Sequence, residues 1–162
     1  MENELVLYIL MRSDLPSMNP GKAMAQASHA SNAMTFNADC LDDDDPRRSM
    51  VVDWLNQTDQ GFGTVLVLEC NKDDLWEIQS KINDFKEEEF LYDDVIDPTY
   101  PHIVDKEVAA LIHPELHKGG SPIDLPDGRV LCLREEVTCA YLLADKNSNV
   151  SQYLVGKLKL HP

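Results

Sequence analysis

Leu5 to Ser31 reads LVLYILMRSDLPSMNPGKAMAQASHAS, and the order of its parts decides the fold. Leu5 to Met11 is an unbroken apolar run of strand length, the pattern of a strand covered on both faces as parallel strands usually are. Arg12 and Asp14 break the run. Asn19 is placed as an N-cap and Pro20 as the first helical residue, because proline lacks the N–H that would be unsatisfied there and its φ is already set for a helix. On the helix that follows, Lys22, Gln26 and His29 stand at i, i+4 and i+7, one polar stripe at 100° per residue. Beside it run Ala23, Ala27 and Ala30, small enough to let the helix axis approach a sheet. Free N–H groups of the first turn, with Lys22 among them, make a corner suited to phosphate or to a developing oxyanion. Taken alone, such a stripe is more often a solvated helix face.

Beyond this stretch the chain keeps alternating. An Asp45–Pro46 step opens a short helix carrying Val51, Val52, Trp54 and Leu55. Thr64 to Cys70 (TVLVLEC) is a β-branched strand, and Asn71 caps a helix with Leu75, Ile78 and Ile82 at helical spacing. Leu91 to Ile96 supplies a third strand ending at Asp97, Val137 to Leu143 a fourth, and Asn149 to Val155 a final helix. The expected architecture is α/β and three-layered: a mixed four-stranded core sheet with helices on both faces.

With 162 residues the chain can bury one sizeable core, so a single domain over 1–162 is expected. The longest apolar stretch is too short for a membrane span and lacks a basic leader, so no membrane partner and a cytoplasmic location are expected. Cys40, Cys70, Cys132 and Cys139 form no CxxC pair and read as reduced, mostly buried thiols. The net charge of −15 runs against a nucleic-acid partner, which usually meets a basic surface. Its distribution is uneven, however. Asp39 and Asp42 to Asp45 crowd one loop and Glu87 to Glu89 another, whereas Arg12, Lys22, Lys157 and Lys159 lie near the corner or at the C-terminal end. Both acidic runs have the composition of solvated loops or helix ends.

The opening segment resembles the type II peptidyl-tRNA hydrolases, the archaeal and eukaryotic kind. There an apolar strand runs into R-[TN]-D-L and then G-K-x-A-A-Q-x-x-H-A; here stand Arg12, Ser13, Asp14 and Leu15, then Gly21 to Ala30 with Lys22, Gln26 and His29 in register. Gly63 to Cys70, Lys72 to Ile82, Thr138 to Leu143 and the terminal Gly156-Lys157-Leu158-Lys159-Leu160 resemble later elements of that family. The family's D-A-G-R-T-Q is rewritten as Asp97-Pro98-Thr99-Tyr100-Pro101-His102, which keeps only the aspartate in register, with Thr99 a candidate for the displaced threonine. Against the family, residues 103–134 are an insertion. Asp127–Gly128 is a hairpin signal between Ile123 to Leu125 and Arg129 to Leu133. The inserted hairpin or flap reads as a lid, an ornament or an oligomer contact such as a homodimer interface, the structural readings being favoured.

The resemblance implies hydrolysis of the ester between peptide and tRNA, with peptidyl-tRNA as partner, no cofactor and water as the attacking group. Catalytic roles fall to Lys22, His29, Asp97 and Thr138. Asp97 would orient or deprotonate the water directly or through His29, histidine being the side chain that titrates near neutrality. Lys22 would stabilise negative charge. Arg12, Gln26 and Thr99 would bind substrate. Asp97 also fits a plain strand-end turn, and Thr138 an ordinary strand residue. His113 and His117 have the i, i+4 spacing of some zinc pairs, but they lack a third ligand and Pro114 disturbs the helix they would need, so no metal site is expected. A non-catalytic binding or regulatory module that keeps the fold is the alternative, favoured by the acidic charge and the rewritten Asp97 segment.

Overall fold

The computed structural model describes residues 4–112 and 119–162. β1 (Leu5–Arg12) is buried along its whole length, because both its edges and both its faces are covered. It pairs in parallel with β2 (Thr64–Cys70) on one side and antiparallel with β5 (Arg129–Asp145) on the other. β3 (Phe90–Asp105) lies antiparallel on the far side of β5, and β6 (Lys159–Leu160) lies antiparallel on β2, giving the order β3-β5-β1-β2-β6. A further two-residue strand, β4 (Ile123–Asp124), also pairs with β5.

Side-chain alternation along β1 divides the core into two layers. Leu5, Leu7, Ile9 and Met11 face α1 (Pro20–Asp39) and α2 (Pro46–Leu55). Val6, Tyr8 and Leu10 face α3 (Lys72–Lys81), whose end runs into a 3-10 turn at Ile82–Phe85, and a π-helical turn at Ser151–Val155. Each such aliphatic side chain removed from water contributes about 1.5–3 kcal/mol. The helices α1, α2 and α3 start where the sequence supplies acceptors for their free N–H groups. The Asn19 side chain accepts from Lys22 N–H at 3.0 Å, Asp45 from Arg47 N–H at 2.9 Å, and Asn71 and Asp74 form a reciprocal capping box.

The sheet holds six strands among the described residues, where four core strands were expected. The third strand does not end at Asp97 but continues to Asp105, and the fourth begins at Arg129 instead of Val137. Most of the expected flap therefore extends the sheet itself, as a two-stranded ribbon with β4 folded back on it. The expected Asp127–Gly128 turn is there: Gly128 has φ +84°, and Leu125 N–H donates to Arg129 O at 2.8 Å. Pro98 and Pro101 are tolerated inside β3 because β3 is an edge strand, paired among the described residues with β5 alone. α4 (Lys106–Leu111) follows β3 directly. The final helix covers the expected Asn149 to Val155, with Ser151–Val155 wound as a π-helical turn. His113 and His117 lie outside the described residues. Cys70, Cys132 and Cys139 are buried, Cys40 is exposed and all four are free thiols. Among the described residues, no helix is long and apolar enough to cross a membrane.

Candidate active site

Gln26 is the junction of the site. It is 4% exposed and belongs to the buried stripe of α1, with Ala23, Ala30, Met34 and Ala38. Its Nε2 donates to Asp97 Oδ2 at 2.8 Å, and its Oε1 accepts from Thr138 Oγ1 at 2.6 Å. One amide thus ties α1 to β3 and β5. Simple alternation would turn Thr138 away from α1. The register shows why it does not: Val95 pairs with Cys139 and Ile96 with Val137, so β5 advances two residues while β3 advances one. Thr138 is the extra residue of a β-bulge, which re-aims its side chain toward the helix.

Asp97 is half-buried at the next irregularity. Its Oδ1 accepts Thr99 N–H at 2.9 Å, an Asx-turn that fixes the carboxylate while Gln26 holds the other oxygen. Thr99 itself is exposed and meets Asp97 through its backbone. Lys22, one turn before Gln26, carries its ammonium 5.4 Å from the centroid of the Tyr100 ring, a cation–π contact. Among the described residues no carboxylate pairs with it. Ser17 Oγ donates to Pro101 O at 2.5 Å, fastening the loop before α1 to the ribbon.

Arg12 is buried, and its guanidinium makes four hydrogen bonds: two to Asp14, one to Glu136 Oε1 at 3.1 Å and one to Val137 O at 3.0 Å. Burial opposes the charge of Asp14, but the Arg12 hydrogen bonds outweigh it and hold the carboxyl below its ordinary range. Arg12 thus ties the end of β1 to the middle of β5. His29 is exposed on α1, and among the described residues no hydrogen bond joins it to Asp97. The structure therefore brings together Lys22, Gln26, Asp97, Thr99 and Thr138, engages Arg12 in the scaffold and leaves His29 at the rim. Burial pushes the neighbouring Cys139 thiol up to about 12, which removes it as a nucleophile.

The ribbon adds residues that the sequence reading missed. Tyr100 is buried against Met18, and His102 lies edge-on to it at 5.4 Å between centroids. Arg134 faces Tyr100 across the ribbon. Only the long-range register unites these positions, and nothing local in the sequence announces it.

The family model described as Peptidyl-tRNA hydrolase PTH2 matches residues 5–107. That span includes Lys22, Gln26, His29, Asp97 and Thr99 and stops before Thr138 and Arg134. No curated protein matches the chain. A solved structure of a protein of unknown function from Agrobacterium tumefaciens is similar at 12% identity and a TM-score of 0.37, covering 98% of each chain. At that score the likeness carries no argument. The family model spans well over half of the sequence, through the strand, corner and helix on which the site is built, and the chain belongs to the peptidyl-tRNA hydrolase PTH2 family.

Proposed function

We propose that the protein hydrolyses the ester bond of peptidyl-tRNA, releasing peptide and free tRNA. The observation that carries this reading is the Gln26 amide, which holds Asp97 and Thr138 together one helical turn from Lys22. Asp97 keeps lone pairs and partial exposure, so it can orient a water and take its proton as that water attacks the carbonyl. Lys22 is assigned the negative charge that develops on the tetrahedral intermediate. Gln26 and Thr138 fix the angle of the carboxylate, and Arg12 ties the end of β1 to the neighbouring stretch of β5. With no hydrogen bond between His29 and Asp97 among the described residues, the direct route to water is preferred, and His29 is assigned proton transfer to the departing ribose oxygen. Thr99 stands at the exposed edge as a substrate contact.

A second reading, a non-catalytic module on the same fold, draws on the two hydrogen bonds Asp97 already accepts. Release of the acylated amino acid from N-blocked aminoacyl-tRNA separates the two. Turnover by the purified protein, reduced at least about a hundredfold by Asp97→Asn and by Lys22→Ala, is the expected result. Absence of turnover at high enzyme concentration removes the hydrolase reading.

A further inference from the structure

Two buried side-chain nitrogens lack a hydrogen-bond partner among the described residues, His102 Nε2 and Arg134 Nε, and both lie on the ribbon beside the site. Register puts them on one face. Asp97 pairs with Glu136, Tyr100 with Arg134 and His102 with Cys132. Between the first two pairs β3 advances three residues and β5 two, so the irregularity at Pro98–Thr99 keeps Asp97 and Tyr100 on the same side. That side faces the start of α1, as the contacts of Asp97 with Gln26, Tyr100 with Met18 and Lys22 with Tyr100 establish.

These groups ask for an acceptor. Arginine Nε is a donor only, histidine Nε2 donates in its Nε2–H tautomer, and buried donors in native folds are normally paired. The His102 side chain is only 10% exposed. The nearest carboxylate is Glu136, with Oε2 3.5 Å from His102 Nε2, but its Oε1 is held by Arg12 at 3.1 Å and its charge is thereby offset. Lys22 and Arg134 remain, both beside Tyr100 and neither with a carboxylate partner among the described residues, in a chain of net charge −15.

We propose that Arg134 and His102, with Lys22, form an anion subsite that takes a phosphate group of the nucleotide adjoining the scissile ester. The assignment of that nucleotide to a tRNA end rests on the hydrolase reading; the recognition of phosphate does not. Arg134 lies beyond the residues matched by the family model, so the lengthened ribbon supplies this contact.

Calorimetric titration of the full chain with 5′-AMP, inorganic phosphate and adenosine tests the subsite. AMP and phosphate should bind, adenosine at least about tenfold more weakly than AMP, the effect of losing one charge-assisted contact. Arg134→Gln should weaken AMP binding by a similar factor, whereas Arg129→Gln, which removes an arginine paired with Asp127 at the ribbon's outer turn, should leave it unchanged. Arg134→Lys keeps the charge without the planar fork and should fall between, which preserves the test if the glutamine variant does not fold. Wild-type protein that binds neither AMP nor phosphate, adenosine that binds as tightly as AMP, or Arg134 variants with wild-type AMP affinity each overturn the subsite. AMP binding lost in Arg134→Gln, in a protein that never turns over aminoacyl-tRNA, keeps the subsite and removes the hydrolase reading. Turnover with a KM for aminoacyl-tRNA unmoved by Arg134→Gln does the reverse.

Discussion

Gln26 can hold Asp97 and Thr138 at once because a primary amide offers both a donor and an acceptor, which the donor-only ammonium of a lysine cannot do. Thr138→Val keeps the side-chain shape but leaves Gln26 Oε1 buried without its partner. Urea unfolding should show a loss of about 1–3 kcal/mol, and Thr138→Ser should recover most of it. The sequence announced Gln26 as part of a polar stripe but not its separate fate: Gln26 is buried in the row of alanines, Lys22 is half-buried and His29 is exposed. Helical spacing alone could not separate them, since all three fall within one arc and the sheet edge decides what is covered. His102 gives a second test. Burial lowers its pKa, Arg134, Arg12 and Lys22 lower it further, and Glu136 opposes them. With the folded pKa below the unfolded one, the unfolded chain binds the proton first, so stability is lost as pH falls from about 6.5 toward the folded value. His102→Gln should flatten the fall of Tm with pH in that window.

Among the elements, the helices and the two parallel strands were legible because their signals are local: a cap, a proline, an apolar period. Asn71 shows what such a signal is worth. Asn71→Ala removes the capping box of α3, on the face of the sheet opposite α1, and should cost about 1 kcal/mol, or roughly 2–4 °C in Tm, with turnover unchanged. The ribbon was not legible, because Asp97–Pro98 reads as a strand end and only the edge position of β3 excuses two prolines within it. The bulge at Thr138 was hidden for a related reason. A one-residue change of register moves a side chain across the sheet, and it is visible only when both strands are paired. The half of the site carried by α1 could thus be read from residues in sequence order, while the half carried by β3 and β5 depends on how two strands, distant in sequence, meet.

At the scale of the molecule, the two acidic runs lie away from the corner where β1 meets α1. Glu87 to Glu89 line a surface with Leu5 and Asp145, at the start of β1, whereas Arg12 ends that strand. Eight residues at about 3.3 Å each place the two ends more than roughly 20 Å apart. Asp42 to Asp45 follow the C-terminal end of α1, about 30 Å along a 20-residue helix from the corner at Asn19. Screening should therefore separate these charges from the site at physiological salt, where the Debye length is about 8 Å, and reconnect them near 0.01 M, where it is about 30 Å. Asp42→Asn, Asp44→Asn, Glu87→Gln and Glu89→Gln combined test this, since these side chains are exposed. Asp43, Asp45 and Glu88 are spared because they hold Arg48, Arg47 and the helix start at Asn149–Val150. KM for N-blocked aminoacyl-tRNA should change by less than about twofold at 0.15 M salt and fall severalfold at 0.01 M. A fall of equal size at both concentrations would place the acidic runs in the path of the substrate and remove the spatial separation on which a nucleic-acid site in so acidic a chain depends.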